Sequence, residues 1–195
     1  MSKFSQIKSR LLSLPINDID TDQIIPASFL KGIDKSGMAA GLFAGWRYSA
    51  DGLPKPDFVL NSPRASGAQI LLVGNNFGCG SSREHAAWAL RDFGFRAIIS
   101  TSFADIFRNN ALKNGLLPVE VSSPDFRRLI DLVSQNPEAE VEVDLDHQEV
   151  RFPDGKPIPF AIDSFSRYCL LTGADELDYI LSFDAKISEY EGEHP

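Results

Sequence analysis

Between residues 70 and 121 the chain alternates short apolar runs with helix-patterned stretches, and few folds accept that order. Ile70 to Val73 is an uninterrupted aliphatic run, the pattern of a strand covered on both faces. A glycine loop follows. From Arg83 to Phe93, the residues Ala86, Ala87, Trp88, Leu90 and Phe93 recur at helical spacing, and Gly94 supplies a stop. Ala97 to Ser100 reads as the next strand. Ser102 stands where it would cap a helix running to about Lys113, with Gly115 past its end. Leu116 to Val121 completes the series as another strand. This alternation predicts βαβ units with parallel pairing.

The flanks carry different patterns. Lys8 to Leu14 reads as a strand and runs into the turn-rich, acidic stretch Asn17 to Asp22. From about residue 31 to 56, Gly32, Gly37, Gly41, Gly45 and Gly52 break up any long element. That segment is expected to be an insertion of the lid type, with aromatic patches at Phe43, Trp46 and Tyr48. Ser123-Pro124 opens a further helix that ends before Pro137. Val141 to Leu145 and Glu149 to Phe152 alternate in period two about Asp146-His147, a hairpin pattern, and Pro153-Asp154-Gly155 is a second turn. From about Asp163 the apolar spacing becomes helical again, in two or three short helices. The expectation is one α/β domain over residues 1–195, with mixed parallel and antiparallel strands.

Composition narrows the chemistry. The formal net charge of -8 argues against a nucleic-acid or anionic-membrane surface, both of which need basic patches. No apolar run approaches the roughly 20 residues of a membrane-spanning helix. Cys79 and Cys169 are too few for a disulfide framework, and the start of the chain lacks a secretory pattern, so a cytoplasmic location is expected. His85, His147 and His194 lie far apart without metal-ligand spacing, so no metal site is expected on this chain.

The segment with the most chemistry is Asn75-Asn76-Phe77-Gly78-Cys79-Gly80-Ser81-Ser82-Arg83-Glu84-His85-Ala86. It joins a strand to a helix at the carboxyl end of the strand, where open α/β sheets bind ligands. Gly78 and Gly80 permit positive φ and close backbone approach. The helix start offers unbonded N–H groups and the positive end of a dipole, and Arg83 adds a fork suited to a carboxylate. Ser81 to Glu84 also reads as a capping box, serine capping the helix and glutamate reciprocating. The third glycine of a dinucleotide fingerprint, the P-loop lysine and the nucleophile elbow are all missing from this stretch.

Taken whole, this string resembles the strand–loop–helix of the swivelling domain in aconitase-family enzymes. With Cys79 and the following His85-Ala86-Ala87-Trp88-Ala89-Leu90, it is similar to the small subunits of 3-isopropylmalate dehydratases. Asp18-Ile19-Asp20-Thr21-Asp22-Gln23-Ile24-Ile25-Pro26, Ser102 to Phe107, and Lys113-Asn114-Gly115-Leu116-Leu117-Pro118 resemble further blocks of that family, and the likeness spans about Leu14 to Gly173.

The resemblance implies a hydro-lyase of leucine biosynthesis that interconverts 2- and 3-isopropylmalate by removing and re-adding water. It implies a swivelling β/β/α-type domain acting as one half of a heterodimer. The large subunit would hold a [4Fe–4S] cluster through three cysteines, and this chain would bind no cofactor itself. By matched position, Ser81 is the catalytic base, while Arg83 and Ser82 bind substrate. Thr21, Asp22, Lys35, Cys79 and His85 take supporting places. One departure concerns Lys35-Ser36-Gly37-Met38-Ala39, where the family often carries Arg-Thr-Gly-Phe-Gly, which leaves the substrate open among related diacids such as homoaconitate, citraconate or dimethylmalate. A serine hydrolase using Ser81 with His85, and a non-catalytic anion-binding module, are the readings from other classes.

Overall fold

The computed structural model describes residues 3–30, 37–153 and 155–193. Among these, one seven-stranded sheet runs in the order β4-β3-β2-β1-β5-β6-β7. Its parallel half consists of β1 (Gln6–Leu14), β2 (Ile70–Val73), β3 (Ala97–Ser100) and β4 (Leu117–Glu120). Its antiparallel half is β5 (Glu140–Asp144), β6 (Glu149–Arg151) and β7 (Ile158–Pro159), joined through β5 to β1. Both the βαβ alternation and the hairpin about Asp146-His147 are therefore as the sequence predicts. The two-residue β7 is an addition, because so short a run carries no period of its own.

Period two along the strands sorts their side chains onto two covered faces. Leu12, Leu14, Leu71, Val73 and Ile98 share one core with Ala86, Ala89 and Leu90 of helix α3 (Glu84–Phe93) and with Phe107 and Ala111 of helix α4 (Asp105–Lys113). Leu11, Ile70, Leu72, Ala97 and Ile99 form the other, against Leu129 and Val133 of α5 (Ser123–Gln135) and Leu170 of α6 (Ser164–Thr172). Asp163 caps α6, its carboxylate accepting the Ser166 N–H at 2.8 Å. Two further helices, α7 (Glu176–Leu181) and α8 (Asp184–Glu193), follow among the described residues. No helix among the described residues is long and apolar enough to cross a membrane.

The insertion departs from its expected character. Before it lies α1 (Thr21–Ile24), and within it α2 (Ala44–Arg47). Leu42 and Phe43 have no exposed surface, and the Phe43 ring stacks on Trp46 at 5.6 Å. The Phe43 N–H donates to the Ile24 carbonyl at 2.8 Å, which ties the insertion to the first helix. Arg47 donates to the carbonyls of Ala39 (2.8 Å) and Leu42 (3.3 Å) and to Asn61 Oδ1 (3.1 Å). Met38, Leu42 and Phe43 of the insertion are thus part of the core, and Phe43 is no surface patch. Glycine count signalled a loop, but the burial comes from partners distant in sequence.

The β5–β6 hairpin is locked by a buried carboxylate. Asp144 accepts the His147 N–H at 2.9 Å, and its Oδ2 lies 2.8 Å from both His147 Nδ1 and the Arg151 guanidinium. Burial pushes this carboxyl up, but His147 and Arg151 outweigh it and hold it below the ordinary 3.8. A depressed carboxyl contributes stability above the ordinary value and loses it as pH falls through the folded value. Asp144→Asn is accordingly expected to cost roughly 1–3 kcal/mol at pH 7. Chemical denaturation of both proteins at pH 7 and near pH 3 should show the gap narrowing in acid; a gap that stays constant contradicts the assignment.

Candidate active site

The carboxyl ends of β1, β2 and β3 converge on one loop cluster. Gly74 follows β2, and its N–H donates to the Ile16 carbonyl at 3.1 Å; a Cβ there would lie 2.3 Å from that oxygen. Asn75 N–H donates to Asn17 Oδ1 at 3.0 Å, and Asn76 Nδ2 to Asp18 Oδ1 at 2.8 Å. Asp18 and Asn76 both take left-handed φ, 56° and 53°, which their short polar side chains tolerate. The Phe77 ring is fully buried, edge-on to Phe107 at 5.0 Å. Gly78, at φ 77°, passes directly over that ring, where a Cβ would come within 2.3 Å of Phe107 Cγ. Only glycine satisfies both the angle and the space.

Beyond Gly78 the loop is held from the first segment. The Gly78 N–H donates to the Ile19 carbonyl (2.8 Å), and Thr21 N–H donates to the Cys79 carbonyl (2.9 Å). Thr21 is 2% exposed, and its hydroxyl donates to the Ser81 carbonyl at 2.9 Å. Asp22 forms an ion pair with Arg83. Asp20 caps α1 in a reciprocal box with Gln23, at 2.7 and 2.8 Å. The structure thus brings Thr21, Asp22, Cys79, Ser81 and Arg83 together from stretches 60 positions apart. Ser82 is exposed beside them. Lys35 lies outside the described residues.

The capping box expected at Ser81–Glu84 does not form. Helix α3 begins at Glu84, its N-cap is Arg83 in an extended conformation, and that cap makes no side-chain hydrogen bond. Glu84 Oε1 instead accepts from Asn114 Nδ2 (2.8 Å) and from Trp88 Nε1 (3.2 Å), which draws it away from the helix start. Ser81 is exposed, and its hydroxyl has no hydrogen-bond partner among the described residues. Ser102 likewise does not cap α4, whose N-cap is Ala104; its hydroxyl accepts the Asn76 N–H at 2.7 Å and so braces the site loop. Neither role was legible from local spacing.

His85 packs its ring against Trp88, 4.5 Å between centroids, which points it along the helix flank. Cys79 is a partly exposed free thiol whose pKa is raised by burial and by the nearby carboxylates of Asp20 and Asp18. Both effects disfavour the thiolate needed of a metal ligand or nucleophile. Among the described residues no three His, Cys, Asp or Glu side chains are grouped to hold a metal ion. The arrangement has a helix start without a side-chain cap, an exposed serine hydroxyl and a guanidinium on one loop. Chemically, it can receive a carboxylate and present an oxygen base to it.

A family model described as the aconitase C-terminal domain matches residues 1–124, and a second, described as LeuD_N, matches residues 127–164. The 3-isopropylmalate dehydratase small subunit of Roseiflexus sp. (strain RS-1) is 55% identical over 195 residues, covering 100% of this chain and 96% of that one. The protein of the same name from Anaeromyxobacter dehalogenans (strain 2CP-C) is 56% identical over 192 residues, 98% of each. A crystal structure of 3-isopropylmalate dehydratase (leuD) from Methanocaldococcus jannaschii superposes with a TM-score of 0.67 at 28% identity, covering 95% of this chain and 99% of that one.

Proposed function

Because this chain belongs to the family of 3-isopropylmalate dehydratase small subunits, we propose that it supplies the base and a carboxylate clamp to a hydro-lyase acting on isopropylmalate in leucine biosynthesis. The observation that supports the roles best is the loop itself. Ser81, with an unbonded hydroxyl, stands two residues from Arg83, and Thr21 and Asp22 fasten them both.

In this reading Arg83 binds a substrate carboxylate through a pair of N–H groups while Asp22 keeps the guanidinium in plane. The start of α3 and Ser82 add donors to the same anion. Ser81, as the alkoxide, removes the proton from the carbon beside that carboxylate and returns it on the neighbouring carbon when water is re-added. A free serine hydroxyl is a weak base, so the alkoxide needs preorganised positive potential, which Arg83 and the helix start provide. Thr21 fixes the Ser81 carbonyl and hence the direction of its side chain. His85, held against Trp88, is given no proton-transfer step.

The large subunit is proposed to carry a [4Fe–4S] cluster, which would act as the Lewis acid that lets hydroxide depart. This chain's donor set supports that division, since such a cluster needs three thiolates and the sequence holds only Cys79 and Cys169, on separate elements. Charge supports it too. Arg83 already shares its charge with Asp22, and Asp18 and Asp20 are close by, so a doubly anionic substrate needs further cations from the partner. The same reading makes the complex cytoplasmic, in keeping with both cysteines being free thiols.

The test is a substrate panel. The reconstituted enzyme should dehydrate 2- and 3-isopropylmalate with the highest kcat/KM among isopropylmalates, the hydrates of homoaconitate and citraconate, and dimethylmalates. A different diacid at the top would keep the chemistry and overturn the substrate. Labelling of Ser81 by a covalent serine probe would instead favour a hydrolase.

A further inference from the structure

A serine three residues before a glutamate is a strong local instruction to begin a helix directly after the serine. Applied to Ser81 and Glu84, it would start α3 at Ser82 and engage the Ser81 hydroxyl as the cap. The helix starts at Glu84 instead. Three residues of that stretch are drawn off by partners remote in sequence. The Ser81 carbonyl, which would accept the first intrahelical bond, accepts the Thr21 hydroxyl at 2.9 Å. Arg83 pairs with Asp22. The Glu84 carboxylate, which would reach back to the Ser81 N–H, accepts Asn114 Nδ2 at 2.8 Å and Trp88 Nε1 at 3.2 Å.

Asn114 is itself firmly placed. It is the C-cap of α4, and its backbone N–H donates to the carbonyls of Asn110 (3.2 Å) and Ala111 (3.1 Å). Its side-chain Nδ2 donates to Glu84 and to the Asn110 carbonyl (2.8 Å), while Oδ1 accepts Trp88 Nε1 (3.0 Å). A carbonyl and a carboxylate only accept and an indole N–H only donates, so one orientation of the amide satisfies all three partners. Trp88 packs against the same core as Ala86, Ala89 and Leu90 of α3. Glu84 is therefore fastened to a helix end and to a core side chain, and neither can follow it back toward residue 81.

We propose that Asn114 is a positioning residue of the active site. By holding Glu84 on the flank of α3, it keeps the helix from starting at Ser82 and leaves the Ser81 hydroxyl out of a cap. The proposal rests on the roles given above to Ser81 and Arg83. A serine oxygen that accepts an amide of the first turn has committed a lone pair and faces the helix, so it is a poor base for a carbon-bound proton. A glutamate returned to the helix start would also set a carboxylate where the substrate's own carboxylate is to be received.

The experiment compares Asn114→Ala, Glu84→Ala and the double variant of the small subunit, each assayed with cluster-loaded large subunit. Cα chemical shifts of residues 82 and 83, measured by NMR on the free small subunit, report where the helix begins. In Asn114→Ala they should move toward helical values. Turnover of isopropylmalate should fall about 10-fold in kcat and KM should rise, with Thr21 and Asp22 still restraining the loop. Adding Glu84→Ala should return the shifts and recover most of the lost kcat, because no carboxylate remains to complete the box. A purely structural amide gives the opposite result, a double variant no faster than Asn114→Ala. Should Asn114→Ala not fold, Trp88→Phe keeps a ring beside His85, removes one donor to Glu84, and should show a smaller loss that Glu84→Ala again repairs. Unmoved shifts in the folded variant, or a loss that Glu84→Ala does not repair, overturns the proposal. Near-normal turnover by Ser81→Ala in the same assay overturns the functional reading instead, and the chemical shifts still decide whether Asn114 sets the helix start.

Discussion

Ser81→Ala small subunit, mixed with cluster-loaded large subunit, is expected to lose about 10²–10⁴-fold in kcat, the range for removing a general base. KM should move little, because in the proposed roles the hydroxyl acts on the carbon-bound proton while Arg83 and the helix start hold the carboxylate. Stability should stay within about 0.5 kcal/mol of wild type. This last expectation follows from the structure and differs from what the local sequence suggests. Were Ser81 the cap of α3, its loss would cost up to about 2 kcal/mol. The cap position is Arg83, and the Ser81 hydroxyl has no hydrogen-bond partner among the described residues. Kinetics and thermal unfolding on one preparation separate the cases. Near-normal kcat would remove Ser81 from the chemistry, and a clear drop in Tm would restore it as a structural group.

Arg83→Lys should be a poor replacement. Lysine keeps the charge and can still pair with Asp22, but it cannot offer two parallel N–H groups to a carboxylate. A fall of about 100-fold in kcat/KM is expected, corresponding to the loss of one charge-assisted hydrogen bond and of orientation. The Arg83 side chain is only 18% exposed, so its replacement also leaves room beside the loop. Initial rates across isopropylmalate and a monocarboxylate analogue would locate the effect. If both substrates suffer equally, Arg83 acts on the loop; if the dicarboxylate suffers more, it acts on the substrate. Unchanged kinetics with both would assign it to structure alone.

Local sequence specifies some elements of this fold fully and others hardly at all. The strands β2, β3 and β4 and the helices between them were legible because each alternates buried aliphatic runs with helical spacing and glycine stops. The starts of α3 and α4 depart from the local sequence signals for one physical reason. Ser-x-x-Glu and a serine before a helix are local signals, while Glu84 and Ser102 are claimed by partners 30 and 26 positions away. The burial of Leu42 and Phe43 was hidden by the glycines around them, since it depends on Ile24 and Phe58 closing over the segment. The site loop was legible as a contiguous motif. Its fastening by Thr21 and Asp22 was not, because nothing in spacing connects residues 60 positions apart; only the family resemblance pointed to them.

The central claim is that this chain is half of an active site, with base and clamp here and cluster on the large subunit. The most direct measurement purifies the small subunit anaerobically with iron and sulfide present, records its visible spectrum, and assays isopropylmalate dehydration before and after adding cluster-loaded large subunit. The account predicts a colourless, inactive small subunit, an inactive large subunit, and turnover that rises with mixing to saturation. A stoichiometric [4Fe–4S] absorbance on the small subunit, or turnover by either chain alone, would contradict it.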